Sequence, residues 1–192
     1  MFDHIILAMF LLNVGVVYIG RQVLTRRLLK MQYVIQSHVR SPLRKWFEYV
    51  GQIGAFIFDA RILLQFPIPG TVWNSTFLKV CGALVMSVCV FFHLRAKSDL
   101  GANWTNAKDG ATVRKGLITT RGLYAYSRNP MYTATLGMGF VCILMTQNVF
   151  VVAMWFLLFA YLLKVIKSEE TLLEQEKGEP YRAYCQRVPR FI

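Results

Sequence analysis

The stretch from Gly122 to Tyr132, GLYAYSRNPMY, sets a cation, an amide and several phenol rings directly before a long apolar segment. Pro130 suits the first turn of a helix, where no backbone N–H is required, and it disfavours helical backbone at Asn129. The free N–H groups at the start of that helix, with Arg128 beside them, would attract an anion such as a carboxylate. This stretch therefore predicts binding of a negatively charged group next to aromatic rings.

A second polar segment follows the last apolar run and has the opposite charge at its start. Glu169 and Glu170 open the tail SEETLLEQEKGEPYRAYCQRVPRFI, in which Tyr181, Tyr184 and Arg187 recur every three residues and predict one stripe of a surface helix. The two glutamates could pair with a cation. A ligand with an anionic end, a cationic end and a flat ring would suit the two segments together.

The elements that must position these residues follow from composition. The chain has 192 residues, 55% of them apolar, and its mean hydropathy is +0.41. This is more apolar side chain than one small soluble core can bury, so a bilayer is expected to take the surplus. The net charge of +12 comes from basic residues that lie between apolar runs. Because they do not line one helix face, the pattern argues against nucleic-acid binding.

Four apolar segments are visible: Phe2–Gly20, Trp46–Phe66, Phe77–Leu94 and Met131–Ile166. Each of the first three matches the roughly 20 residues that cross a hydrocarbon core. The fourth, as one helix, would reach about 54 Å, which is too long for one crossing. It is interrupted by the polar residues Thr146–Asn148, which suit a tight turn. The fourth segment is therefore predicted to be a hairpin, which makes about five spans.

Charges in the connecting loops predict the orientation. The segment from Arg21 to Lys45 carries seven Lys or Arg and no acid, and that from Arg95 to Arg128 carries seven against two acids. Basic loops stay cytoplasmic, so the N-terminus is expected outside, and the C-terminus and the site inside. The predicted fold is an all-α integral membrane bundle with a cytoplasmic amphipathic tail. Residues 1–192 form a single domain, with three spans in 1–94 and a cofactor-binding catalytic half in 95–192.

Two other groups of residues in the sequence are candidates for a site. Cys81, Cys89, Cys142 and Cys185 show no metal-ligand spacing, so no metal site is predicted. In the second apolar segment, Glu48, Gln52 and Asp59 share one helix face, which is expensive to expose to lipid. Their pattern leaves open whether they are interfacial residues or part of a functional cavity.

The order LGANW, a basic loop, LITTRGLYAYSRNPMY, an apolar hairpin, EETLL and GEPYRAYCQRVPRFI resembles a known group of membrane enzymes. These are the isoprenylcysteine carboxyl methyltransferases and phospholipid methyltransferases, and the resemblance covers Leu100 to Ile192. It implies an S-adenosylmethionine site made by the cytoplasmic ends of the last spans and the tail. It also implies a lipid-like substrate that enters from the bilayer, such as a prenylated cysteine or a phospholipid amine.

Where a position of this sequence matches the family's motif, the resemblance implies the family's cofactor-binding role for that residue. The resemblance implies that Arg128, Glu169 and Glu170 also carry catalysis, mainly by positioning: Arg128 with the cofactor carboxylate, and Glu169 or Glu170 with its ammonium group. The implied cofactor-binding residues are Leu117, Ile118, Gly122, Tyr124, Arg128, Asn129, Pro130, Tyr132, Glu169, Glu170 and Leu173.

Two positions depart from the family pattern, and two other functions stay open. Asn129 stands where many members have histidine, and Val165 where many have arginine, so methyl transfer in general is better supported than carboxyl methylation. NADPH-dependent membrane sterol reductases have a similar C-terminal layout, although Met131 and Thr133 fit the methyltransferases better. A non-catalytic membrane protein is the other alternative. The sequence does not identify the methyl acceptor.

Overall fold

The computed structural model describes residues 69–72, 74–101 and 118–191, with scattered helical positions between residues 8 and 24. Its named helices are α1 (Thr76–Leu100), a short 3-10 helix η1 (Gly122–Ala125), α2 (Pro130–Thr146), α3 (Val149–Lys177) and α4 (Glu179–Arg187). These residues contain no strand, apart from an isolated bridge between Thr71 and Asn148. The all-helical prediction is confirmed for this part of the chain.

Two of these helices are long and apolar enough, by length and composition, to cross a membrane. Their most apolar windows have mean hydropathies of 2.1 in α1 and 2.5 in α3, and α2 is a shorter apolar helix. Large apolar side chains are exposed on both long helices, among them Phe77 and Phe91 on α1 and Phe150 and Leu157 on α3. Such exposed apolar faces are suited to lipid. The second predicted span, with Glu48, Gln52 and Asp59, and most of the first basic loop lie outside the described residues.

The core between α1 and α2 follows helical spacing and close approach. An added Cβ on Gly137 of α2 would lie 2.7 Å from Cys89 Sγ of α1, so the two helices need a small residue here. Around this contact, residues three and four positions apart on α1 meet the inner face of α2. The buried cluster is Ala83, Met86, Val90, Val141 and Met145.

The apolar run from Met131 to Ile166 folds back on itself, as predicted. The chain reverses at Gln147, in left-handed backbone with φ 50°, and at Asn148, whose Oδ1 accepts from Phe150 N at 2.9 Å and caps α3. Trp155 Nε1 then donates to the Leu136 carbonyl at 3.0 Å across the hairpin. Of the three predicted turn residues, only Thr146 remains helical, and its hydroxyl donates to Cys142 O, one turn back.

The hairpin turn is also fixed to the start of α1 by buried amides. Gln147 Oε1 accepts from Ser75 N at 2.7 Å and Gln147 Nε2 donates to Ser75 O at 2.9 Å, so the side chain pairs with the backbone as a neighbouring strand would. Asn148 Nδ2 donates to Pro69 O at 2.7 Å. Both amides are almost fully buried, and leaving them unpaired there would be costly. The turn therefore orders the hairpin and α1 at one end of the bundle.

Helix α3 extends well past Ile166, where the predicted span ends. The residues from Ser168 to Lys177 contain no glycine or proline, so nothing in them stops the helix. Gly178 does, with φ 58° and its N–H on Glu174 O at 2.9 Å. Glu169 and Glu170 consequently lie on a continuous, rigid helix and not in a loop.

We expect Asn148→Ala to lower the stability of the protein by about 2 kcal/mol, because it removes both the helix cap and the bond to Pro69 O. Ser75→Ala is the matched control: Ser75 Oγ caps α1 through a long 3.5 Å contact, and its backbone bonds to Gln147 would remain. Thermal unfolding in one detergent would compare the two variants. Equal losses would contradict this role of Asn148.

Candidate functional site

The motif from Gly122 to Tyr132 lies at the end of the bundle opposite the hairpin turn, and Asp99 at the end of α1 holds its start. Leu123 N donates to Asp99 Oδ2 at 3.0 Å, and Arg95 Nε pairs with Asp99 Oδ1 at 3.1 Å. Gly122 has φ 63° and lies against this carboxylate so closely that any Cβ would overlap it. Only glycine suits this position, for both its backbone angle and its lack of side chain.

The C-terminal tail, defined here as residues 179–191, packs onto the same motif. Its backbone carbonyls accept three hydrogen bonds from the motif: Pro189 O from Arg128 N at 2.9 Å, and Arg190 O from Ser127 Oγ at 3.2 Å and from Asn129 Nδ2 at 3.4 Å. In the other direction, Tyr184 Oη donates to Tyr124 O at 2.8 Å. Apolar packing between the tail and its neighbours adds to these hydrogen bonds. The packed cluster consists of Tyr181, Tyr184, Val188, Ile118, Leu173 and Cys185. Motif, α3 and tail therefore form one unit.

Glu170 is the centre of a cluster with two arginines and one amide. Arg190 holds Glu170 Oε2 through Nη2 at 2.6 Å and Nε at 3.1 Å, while Asn129 Nδ2 donates to Oε1 at 3.2 Å. Arg128 makes a single longer contact, Nη1 to Oε1 at 3.6 Å. Its Nε is buried without a hydrogen-bond partner among the described residues. Two guanidinium groups against one carboxylate leave a surplus positive charge, carried on the Arg128 side.

Glu169 is in the opposite situation. Its Oε1 accepts from Tyr132 Oη at 2.7 Å, and the residue is only partly exposed. Within residues 69–101 and 118–191 as described, no Lys or Arg forms an ion pair with it. A half-buried carboxylate with one neutral donor lacks a cationic counterpart, so a positively charged ligand would stabilise its ionised form. The surroundings of the two adjacent glutamates thus differ: the cluster around Glu170 has an extra cation, and the surroundings of Glu169 lack one.

The buried phenols of the unit stay neutral, and the hydroxyl of Tyr184 acts as a hydrogen-bond donor. Burial raises the pKa of Tyr184 to about 12, and burial likewise raises the pKa of Tyr124 and that of Tyr181. The bond from Tyr184 to the Tyr124 carbonyl therefore persists across the physiological pH range. Within the motif, the exposed tyrosine ring is that of Tyr126, at 71% exposure.

The residues that the resemblance implied fall into three groups. Arg128, Asn129, Tyr132, Glu169 and Glu170 converge in the two charged clusters. Gly122, Tyr124 and Pro130 shape the backbone around them, Ile118 and Leu173 pack beneath the tail, and Leu117 lies outside the described residues. Asn129 precedes α2, as expected, but its side chain makes no capping bond and turns to Glu170.

Sequence reasoning missed Asp99, Ser127 and Arg190. A polar side chain at the end of an apolar helix was the available signal for Asp99, and none indicated that the tail would fold back onto Ser127. The predicted stripe on α4 was wrong: Tyr181 and Tyr184 are buried, whereas Arg187 is exposed. Six residues at 3.6 per turn rotate Arg187 by about 120° from Tyr181, which takes it off the packed face.

We expect Gly122→Ala to destabilise the protein by about 1–3 kcal/mol, because it adds an overlap with Asp99 and an unfavourable φ. The contribution of the overlap can be isolated by making the same change in an Asp99→Ala background, where only the φ penalty remains. Thermal unfolding of the four proteins should show a smaller loss in that background. An equal loss in both backgrounds would mean that Asp99 does not limit this position.

Comparison with known proteins identifies the family of the chain. A match to the phospholipid methyltransferase family spans residues 77–178, more than half of the chain. The matched region includes the motif and both glutamates but ends before the tail. No curated protein and no solved structure gave a significant match. The chain belongs to the phospholipid methyltransferase family.

Proposed function

We propose that this protein is an S-adenosylmethionine-dependent methyltransferase whose acceptor is a lipid-like molecule in the membrane. Membership of the family supports methyl transfer. The observation that carries the proposal for the cofactor is the pair of neighbouring clusters with opposite surplus charge around Arg128 and Glu169. The predicted five spans, with the N-terminus outside and the site on the cytoplasmic side, belong to the same proposal.

The methionine end of S-adenosylmethionine is a zwitterion, and the two clusters are complementary to it. Arg128, whose Nε has no hydrogen-bond partner among the described residues, would hold the carboxylate together with the first N–H groups of α2, on Met131 and Tyr132. Glu169 would pair with the ammonium group. Glu170 is less suited to that role, because Arg190 already occupies its carboxylate. The charge pattern thus favours Glu169 over Glu170 as the cation ligand.

The bound cofactor would supply an electrophilic methyl group on its sulfonium. Fixing the reacting groups in line accounts for much of the acceleration of such a transfer. The described side chains around the clusters are suited to hold and orient ligands in this way. Tyr132 would orient Glu169 through its 2.7 Å hydrogen bond. The residues of this chain therefore act mainly by positioning, as their sequence pattern predicts.

The acceptor we favour is the amine of a phospholipid. Val165 lies one helical turn before Glu169, on the same side of α3, so no cation is present there to hold a substrate carboxylate. The exposed apolar faces of α1 and α3 would let the acyl chains remain in lipid while the head group reaches the site. A prenylated carboxylate is the alternative acceptor and would be tested in the same assay.

Calorimetric titration of the detergent-purified protein with S-adenosylhomocysteine, and in parallel with NADPH, tests the proposal directly. We expect micromolar binding of the first ligand and none of the second, in the range typical of enzyme ligands. Binding of NADPH alone would indicate a reductase. Binding of neither would leave a non-catalytic membrane protein as the better description.

Arg128→Ala should weaken S-adenosylhomocysteine binding by about tenfold or more, because it removes the binding free energy of a charge-assisted hydrogen bond. Arg182→Ala is the matched control: it also removes one positive charge, but Arg182 is exposed and pairs with Glu174 outside the clusters. Calorimetry would compare their dissociation constants. Unchanged affinity in the Arg128 variant would remove this residue from the site.

Glu169→Gln should also weaken binding by about tenfold, because the amide keeps an acceptor for Tyr132 but loses the charge that would pair with the ammonium group. The control is Glu174→Gln, which neutralises an exposed carboxylate that lies on the same helix beyond Glu169 and pairs with Arg182 outside the charged clusters. An effect of similar size in both variants would point to a general loss of negative charge and would argue against a specific role for Glu169.

A further inference from the structure

We propose that Arg190 is a positioning residue: it occupies Glu170 so that Arg128 stays available for an anionic ligand. This inference rests on the proposed function, because it concerns the residue that would hold the cofactor carboxylate. Arg190 lies outside the region that matches the family and was not among the predicted site residues. Its role follows from how the two arginines share one carboxylate.

The sharing is unequal. Arg190 makes a close, two-nitrogen contact with Glu170, whereas Arg128 touches it through one nitrogen at 3.6 Å. The arginine with the closer contact is the less buried one: the Arg190 side chain is 45% exposed and the Arg128 side chain is 16% exposed. The more accessible arginine therefore neutralises the carboxylate, and the more buried one keeps its Nε without a partner among the described residues.

Glu170 cannot remain without a close cation. Its side chain is only 12% exposed, and an unpaired buried carboxylate is strongly unfavourable. If the Arg190 guanidinium were absent, Arg128 would be the nearest cation and could turn to hold both oxygens of Glu170 in a bidentate pair. An anionic ligand would then have to break that pair before it could bind. Arg190 prevents this competition.

The side chain of Arg190 can be removed without detaching the tail. The bonds that dock the tail use backbone carbonyls, Pro189 O for Arg128 N and Arg190 O for Ser127 Oγ, and the packing uses Tyr184 and its neighbours. None of these depends on the guanidinium. Arg190→Ala therefore tests the charge and its geometry separately from the attachment of the tail.

The experiment is a double-mutant cycle read by S-adenosylhomocysteine calorimetry, with the unsubstituted protein, R190A, E170Q and R190A/E170Q. We expect R190A to bind about tenfold more weakly, in keeping with competition from a charged hydrogen-bonded pair. E170Q is the reference for loss of the Glu170 charge alone, since the glutamine oxygen can still accept from Asn129. In that background the Arg190 substitution should have no further effect, so R190A/E170Q should bind as E170Q does and more tightly than R190A, because the amide no longer draws Arg128 away.

Recovery in the double variant separates this role from a merely structural one. If Arg190 served only to anchor the tail, losing its partner Glu170 as well would leave binding as weak as in R190A or weaker. That result would overturn the proposal, and so would wild-type affinity in R190A. Should R190A fail to fold, R190Q and R190Q/E170Q give the same comparison, because glutamine removes the charge but keeps a polar side chain at this position.

The two proposals fail in different ways. No binding of S-adenosylhomocysteine by the unsubstituted protein would remove the proposed function, and the role of Arg190 with it. Binding by the unsubstituted protein without recovery in the double variant would remove the role of Arg190 alone.

Discussion

The arrangement of the site depends on one constraint: two adjacent carboxylates have to be accommodated at the partly buried end of α3. Neighbouring helical residues point about 100° apart, so Glu169 and Glu170 cannot share partners. Among the described residues, Glu170 faces the tail and binds Arg190, Arg128 and an amide, whereas Glu169 faces α2 and accepts only from a tyrosine hydroxyl. The same helix turn therefore separates a surplus of positive charge from a surplus of negative charge. This separation is the basis for proposing a zwitterionic ligand instead of a simple anion or cation.

Such a separation is useful only if the backbone that carries it is rigid, and the helical hairpin provides that rigidity. Helix α3 runs unbroken from its Asn148 cap to Gly178, so the glutamates inherit the position of the whole helix. At the far end, Gln147 and Asn148 tie the hairpin to the start of α1 through buried amides. At the near end, Pro130 starts α2 beside the charged clusters. Polar contacts thus fix both ends of an apolar bundle, where the backbone groups most need partners.

The features that the sequence predicted are those that depend on neighbours along the chain. The hairpin followed from the length of the apolar run and its polar interruption, and the start of α2 followed from Pro130. The partners of Glu170 did not follow, because Arg190 and Asn129 lie far from it in sequence and only tertiary folding brings them together. Nor could periodicity reveal Asp99, whose importance comes from the close approach of Gly122. The choice between the two glutamates needed those same distant contacts.

The charge balance of the site is completed by the tail, outside the region that matches the family. With Arg128 and Glu170 alone, the cluster would be neutral, and Arg128 would have no reason to prefer an external carboxylate over its neighbour. Arg190 adds the charge that would make the cluster an anion site under the proposed function, while the Pro189 and Arg190 carbonyls hold the backbone of the motif in place. The matched region supplies α2, α3 and both glutamates, but the proposed preference for a zwitterion depends on the whole unit of motif, α3 and tail. A change confined to the tail could therefore alter ligand affinity while every residue of the matched region stayed the same.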